Sequence, residues 1–246
     1  MTDEGHDQGA RIGNEGEGGA GGVDQEHGVL LDLFEVRRLP LAPLFTATGA
    51  ALVIYVASEL SLVLAVVATL AVFLGVFVAG WLRMPPERRS EARCRMAVGA
   101  IAGAAGTAAY DAIRAIHVAI VDLRFQPFDI LEVFGTTLVG EVLPEWVVMT
   151  AGVAFHVSIG VGMATAFTLL LRRPNVVNGT LFALVLGSFA VVIIPNWLGT
   201  EEVFLEFLAV SSLGFLVYGA TVGGLSPWLL VRWRHAEGPR VVERES

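Results

Sequence analysis

The chain has 246 residues, 54% of them hydrophobic, and a formal net charge of −8 from 24 acidic and 16 basic residues, every one of the latter Arg. That apolar content exceeds the roughly 45–50% of soluble domains, and the acidic balance speaks against nucleic acid as a partner. The lone Cys94 excludes an intrachain disulfide.

Residues 1–36 are Gly-rich and acidic, with Arg11 the one base. Such a segment buries too little apolar surface to offset its ordering entropy, so a disordered tail is expected. The first apolar run begins near Leu39 and is expected to direct its own insertion.

From there the chain reads as an all-α polytopic transmembrane bundle occupying residues 37–235, because a bilayer core about 30 Å thick takes roughly 20 apolar residues per helical span. The run from Leu41 to Leu82 carries one charge, Glu59, and divides there into spans at 41–57 and 60–82. Pro85 and Pro86 then stop the helix, and Arg83, Arg88, Arg89, Arg93 and Arg95 mark residues 83–95 as a loop. A third span is expected at 96–121. The segment 125–144 is too interrupted by Asp129, Glu132, Gly135 and Glu141 to cross. It is expected to lie along the outer surface as a short interfacial amphipathic helix, with a re-entrant loop as the alternative. Spans at 146–171, 176–194 and 207–231 follow, the fifth stopped by Pro195, and residues 236–246 form a tail.

The Arg clusters alternate with acidic segments around Asp122, Asp129, Glu132, Glu141 and Glu145, and around Glu201, Glu202 and Glu206. The positive-inside rule accommodates this alternation if both termini are cytoplasmic, and Trp81, Trp146, Trp197, Trp228 and Trp233 stand near span ends as interfacial rings do. Only Arg114 and Arg124 depart from the pattern.

In the third span Gly99, Gly103, Gly106, Tyr110, Arg114 and His117 fall within about 80° of one another at 100° per residue. One face is therefore small and polar, suited to close approach of a neighbouring helix. Asp111 and Arg114 are three apart and can pair. In the fourth span Gly152, His156, Gly160 and Ala164 recur every fourth residue. Asp111 stands 16 residues past Arg95 (111 − 95) and His156 stands 16 before Arg172 (172 − 156), about 24 Å from each anchor at 1.5 Å per residue. His156 is thus expected to meet Tyr110, Asp111 and Arg114, with Tyr218 of the sixth span at a similar level.

Two chemistries fit this cluster. Intramembrane Asp, Arg and His mark proton or ion paths, and His titrates near physiological pH. The same groups also hold helices in register, and Arg114 has a third option, snorkelling to the outer interface. No catalytic, metal or cofactor motif is present: GxSxG, HExxH, a P-loop and a strand-borne GxGxxG are all missing. The run EEVFLEF at 201–207 reads as a solvated acidic loop. His117 and His156 differ by about 9 Å in depth, which argues against haem.

The segments GAIAGAAGTAAYDAIR (99–114), FHVSIGVGMATAF (155–167) and EFLAVSSLGFLVYGATVGGL (206–225) resemble an uncharacterised family of multi-pass membrane proteins common in salt-loving archaea, with distant bacterial relatives. The resemblance implies that Tyr110, Asp111, Arg114, His156 and Gly160 are positions such proteins keep. It also implies a His where this chain has Phe215. It carries no activity. The expectation is a helix-packing or accessory membrane component, with a small transporter or channel as the alternative and an intramembrane enzyme third. Its partners would be the lipid bilayer and either a second copy, met through the Gly-rich faces, or another membrane protein.

Overall fold

A computed structural model describes residues 41–121, 123–198 and 201–237. The acidic tail of residues 1–36, Arg37, Arg38, Asp122 and residues 238–246 lie outside it, as do the side chains of Trp197, Glu201 and Arg234. The described chain is all-α: α1 Ala42–Phe45, α2 Ala47–Ala57, α3 Leu62–Arg83, α4 Pro86–Ile120, α5 Asp129–Val139, α6 Glu145–Leu170, α7 Val176–Leu198 and α8 Phe204–Glu237, with a 3-10 turn at Glu201–Val203. Among the described residues four helices are long and apolar enough to cross a membrane, namely α3, α4, α6 and the Phe204–Trp233 part of α8.

The expected first span is broken. Pro43 opens α1, the Thr46 hydroxyl donates to the Pro43 carbonyl at 2.9 Å, and α2 restarts beyond it with 11 residues. That is about 16 Å of helix, short of a bilayer core. Ser61 caps α3, accepting from the Leu64 amide at 3.3 Å, and the Thr69 hydroxyl reaches the Ala47 carbonyl at 3.2 Å, which ties α2 to α3 as a hairpin. Glu59 sits in its turn.

The expected basic loop at 83–95 is mostly helix. Met84 and Pro85 are extended and end α3, but Pro86 falls in the first turn of α4, where a missing N–H costs nothing. Arg, Glu and Ala are strong helix formers, so α4 runs on for 35 residues, about 52 Å, well beyond the apolar stretch. The basic residues here cap other helices. Arg89 donates from Nε to the Met84 carbonyl at 2.8 Å and from a terminal nitrogen to the Leu82 carbonyl at 3.1 Å, closing the C-terminus of α3. Arg95 does the same for α6, as described below.

Helix α5 does not lie across the bundle's end. Gly135 sits against the Val148 carbonyl and Gly152 against the Leu131 carbonyl, so α5 runs antiparallel along the first turns of α6 with the two backbones in contact. A Cβ at either glycine would strike backbone. The gap between α5 and α6 is turned by Gly140 at φ +86°, a conformation that favours glycine.

Two further expectations are corrected. Pro195 does not end the helix of the fifth apolar segment, since α7 continues to Leu198. Nor is 201–207 a solvated loop: Glu206 lies in the first turn of α8 and its carboxylate accepts from the backbone amides of Arg124 and Phe125 at 2.8 and 3.0 Å.

Helices α4, α6, α7 and α8 make the largest helix-on-helix interfaces. Helix α7 begins with a reciprocal cap in which the Asn175 and Asn178 side chains each accept from the other's amide at 2.9 and 2.8 Å. It then meets α8 at Gly179 and Gly219, where a Cβ on either would come within 2.6 Å of the facing carbonyl oxygen. Gly219 and Gly223 form a G-x-x-x-G spacing whose packing role the polar face of α4 obscured.

Candidate functional site

The site is built on an antiparallel ladder between α4 and α6. Arg95 stands opposite Arg172, Gly99 opposite Thr168, Gly103 opposite Ala164, Thr107 opposite Gly160, and Asp111 opposite His156. Each rung advances four residues on both helices, so equal counts from Arg95 and Arg172 arrive at one level. The small residues are what bring the rungs together. At Gly99 an added Cβ would lie 2.5 Å from the Thr165 Cα, and at Gly103 it would lie 2.8 Å from the Val161 Cα. Gly106 turns instead to α8 and meets Val222 and the ring of Tyr218. Gly99, Gly103 and Gly106 are therefore used in packing within the chain. The outward face of α4 carries Ala104, Ala108 and Ala112.

At the last rung His156 Nε2 lies 3.1 and 3.2 Å from the two oxygens of Asp111. Arg114 lies one turn further along α4. Its side chain is 4% exposed, its terminal nitrogen donates to the Pro127 carbonyl at 2.9 Å, and its other terminal nitrogen stays 3.8 Å from Asp111 Oδ1, beyond hydrogen-bond range. The guanidinium is enclosed by protein and holds the segment that follows α4. Tyr110 fills the space between these groups. The guanidinium carbon stands 4.7 Å from its ring centroid, and the rings of His156 and Phe215 stand at 6.0 and 5.4 Å.

Tyr218 reaches the cluster indirectly. Its hydroxyl donates to the Gly160 carbonyl at 2.6 Å, one turn from His156, and its ring packs on α4 at Gly106. His117 stands apart, half-buried in the last turn of α4. Gly152 serves α5 rather than α4, as described above.

Sequence reasoning passed over Arg95, which is 1% exposed. Its Nε lies 3.2 Å from Glu91, one terminal nitrogen donates to the Thr168 and Leu171 carbonyls at 2.7 and 2.8 Å, and the other donates to the Arg172 carbonyl at 3.1 Å. The Thr168 hydroxyl donates back to the Arg95 carbonyl at 2.9 Å. This arginine caps the C-terminus of α6, where cations and donors are favoured. It also closes one end of the ladder whose other end is Asp111 and His156.

Chemically, the last rung is a carboxyl group and an imidazole in contact, with a buried cation beside them and aromatic rings around them. Among the described residues no group of three or more His, Cys, Asp or Glu is gathered for a metal ion. Compared with family models, curated proteins and solved structures, the chain matches none.

Proposed function

We propose that this is a six-span membrane component, with both termini on the Arg-rich, cytoplasmic side, whose polar cluster fastens helices to one another. The observation that carries this reading is how the polar groups are used. Asp111 with His156 joins α4 to α6, Arg114 with Pro127 joins α4 to the segment before α5, and Tyr218 with Gly160 joins α8 to α6. Interhelical hydrogen bonds of this kind supplement small-residue packing in lipid. The two additional crossings are α7, with 23 residues, and the broken α1 and α2. The latter pair begins beside Leu169 and ends beside Phe155, and so follows much of α6. The resemblance of 99–114, 155–167 and 206–225 to the archaeal multi-pass family belongs to this proposal and would join Tyr110, Asp111, Arg114, His156 and Gly160 in one structural unit.

Orientation has a direct test. With Cys94 replaced by Ala, a cysteine introduced at Arg88 is expected to resist membrane-impermeant maleimide in intact cells and one at Glu141 to react; the reverse pattern would invert the topology.

A specific observation favours a second reading, a small transporter or channel. Asp111 keeps 30% of its side chain exposed and His156 17%, so the pair stands at an edge of the helix cluster rather than sealed within it. The two readings part in proteoliposomes. The packing reading expects ion and proton flux at the level of empty vesicles, with Asp111→Asn and His156→Ala lowering stability by roughly 1–2 kcal/mol each. Flux in the native protein that both substitutions abolish would replace it with transport.

A further inference from the structure

Among the described residues two arginines are buried, and they differ in how their donors are satisfied. Arg95 has acceptors for Nε and both terminal nitrogens. Arg114 makes one hydrogen bond, to Pro127, and its Nε is buried with no acceptor, the one such side-chain atom among the described residues. A guanidinium carries five N–H donors, and leaving charged donors unmet away from water is unfavourable. Arg114 also lines a cavity of about 330 Å³ bounded by the end of α4, the segment 124–128, α5 and the start of α8. Arg124 and Gln126 supply further donors to its wall. Val133, Val203 and Phe207 supply an apolar side. Three acids oppose a negative ligand: Asp111, which stands 3.8 Å from the Arg114 guanidinium, Asp129 on the cavity wall, and Glu206, which stands 3.8 Å from Arg124. Arg124 is 74% exposed and lines the cavity.

We propose that this cavity binds an amphiphilic oxoanion, a phosphate or carboxylate joined to a short apolar portion. Its oxygens lie against the part of the Arg114 guanidinium that lines the cavity, with Arg124 and Gln126 at the mouth, and its apolar part lies on Val133, Val203 and Phe207. The volume is at the lower end for ligand sites, enough for a headgroup and its first few carbons. Asp129 restricts the ligand to a low negative charge. The same chemistry is offered by an anionic lipid headgroup and by a free oxoanion, and the site stands under either functional reading above.

The test is a thermal melt of the full chain in nanodiscs of zwitterionic phosphatidylcholine, titrated with dihexanoyl phosphatidylglycerol or inorganic phosphate against chloride at matched ionic strength. Saturable stabilisation above the chloride control is expected. The half-saturating concentration should rise about tenfold or more in Arg124→Gln, as for a lost charge-assisted bond. It should rise likewise in Val133→Phe, which fills the cavity, and fall in Asp129→Asn. Saturation by the lipid alone identifies a headgroup site, and saturation by phosphate as well identifies a free-anion site. Because Arg114→Gln also releases Pro127, the other three variants carry the decision. No stabilisation beyond chloride, or stabilisation that all three leave unchanged, overturns the proposal.

Discussion

Replacing Arg95 by Ala is expected to destabilise the protein by about 3–5 kcal/mol, the range for removing one partner of a buried ionic group. The mechanism is local and specific. The carbonyls of Thr168, Leu171 and Arg172 at the end of α6 lose donors 2.7–3.1 Å away, and Glu91 loses the cation beside it. Helix ends without such partners are costly when water is excluded. Arg95→Lys should recover only part of this, because an ammonium is a point charge on a flexible stem and cannot hold three divergent carbonyls as a planar fork does. Glu91→Gln should cost under about 1 kcal/mol, since Glu91 is 35% exposed and solvent screens the pair. Reversible unfolding in mixed micelles with increasing dodecyl sulfate ranks the three variants. If Glu91→Gln proves as damaging as Arg95→Ala, the ion pair rather than the carbonyl cap is what holds this end of the ladder.

Why Arg95 escaped notice while Asp111 and His156 did not is a question of which physical signals are periodic. Long apolar runs and the Arg clusters between them mark where helices meet the interface, and α3, α6 and α8 begin and end close to those marks. The hydropathy limit of a span is not the limit of its helix, however. Residues 86–95 are polar yet good helix formers, so α4 starts ten residues before its apolar part. Positive charge in that stretch suggested a solvated loop, and nothing local distinguishes the arginine that turns inward from its neighbours Arg88 and Arg93.

Counting along both helices did bring Asp111 and His156 to one level, because the glycines at 99, 103 and 160 and the intervening Thr107 hold α4 and α6 in an unbroken four-residue register. Arg114 shows the opposite case. Its partner is a main-chain carbonyl, and every residue carries one, so Pro127 could not be singled out beforehand. In α5 the interruptions at Glu132 and Gly135 suggested a helix lying flat. Gly135 is instead what lets it stand against α6.

Gly103→Leu is expected to disrupt the α4 and α6 interface by more than about 3 kcal/mol, the upper end for overpacked cores. The Cβ alone would lie 2.8 Å from the Val161 Cα, 2.9 Å from the Ala164 Cβ and 3.2 Å from the Gly160 carbonyl oxygen. Two of those neighbours are main-chain atoms, so relief requires the helices to separate, and a shift at this rung propagates to Asp111 and His156 two turns away. Gly103→Ala should already be felt, at roughly 1–3 kcal/mol. Gly75→Leu, in α3, provides the control: a Cβ there meets nothing within 4 Å, and the expected effect is within about 0.5 kcal/mol of zero. A doubly spin-labelled protein with one label on each of α4 and α6, placed outside the ladder, should show a longer interhelical distance in Gly103→Leu and an unchanged one in Gly75→Leu. Were Gly103→Leu to keep both native stability and native distance, the close approach of the two backbones could not be what positions the carboxylate against the imidazole.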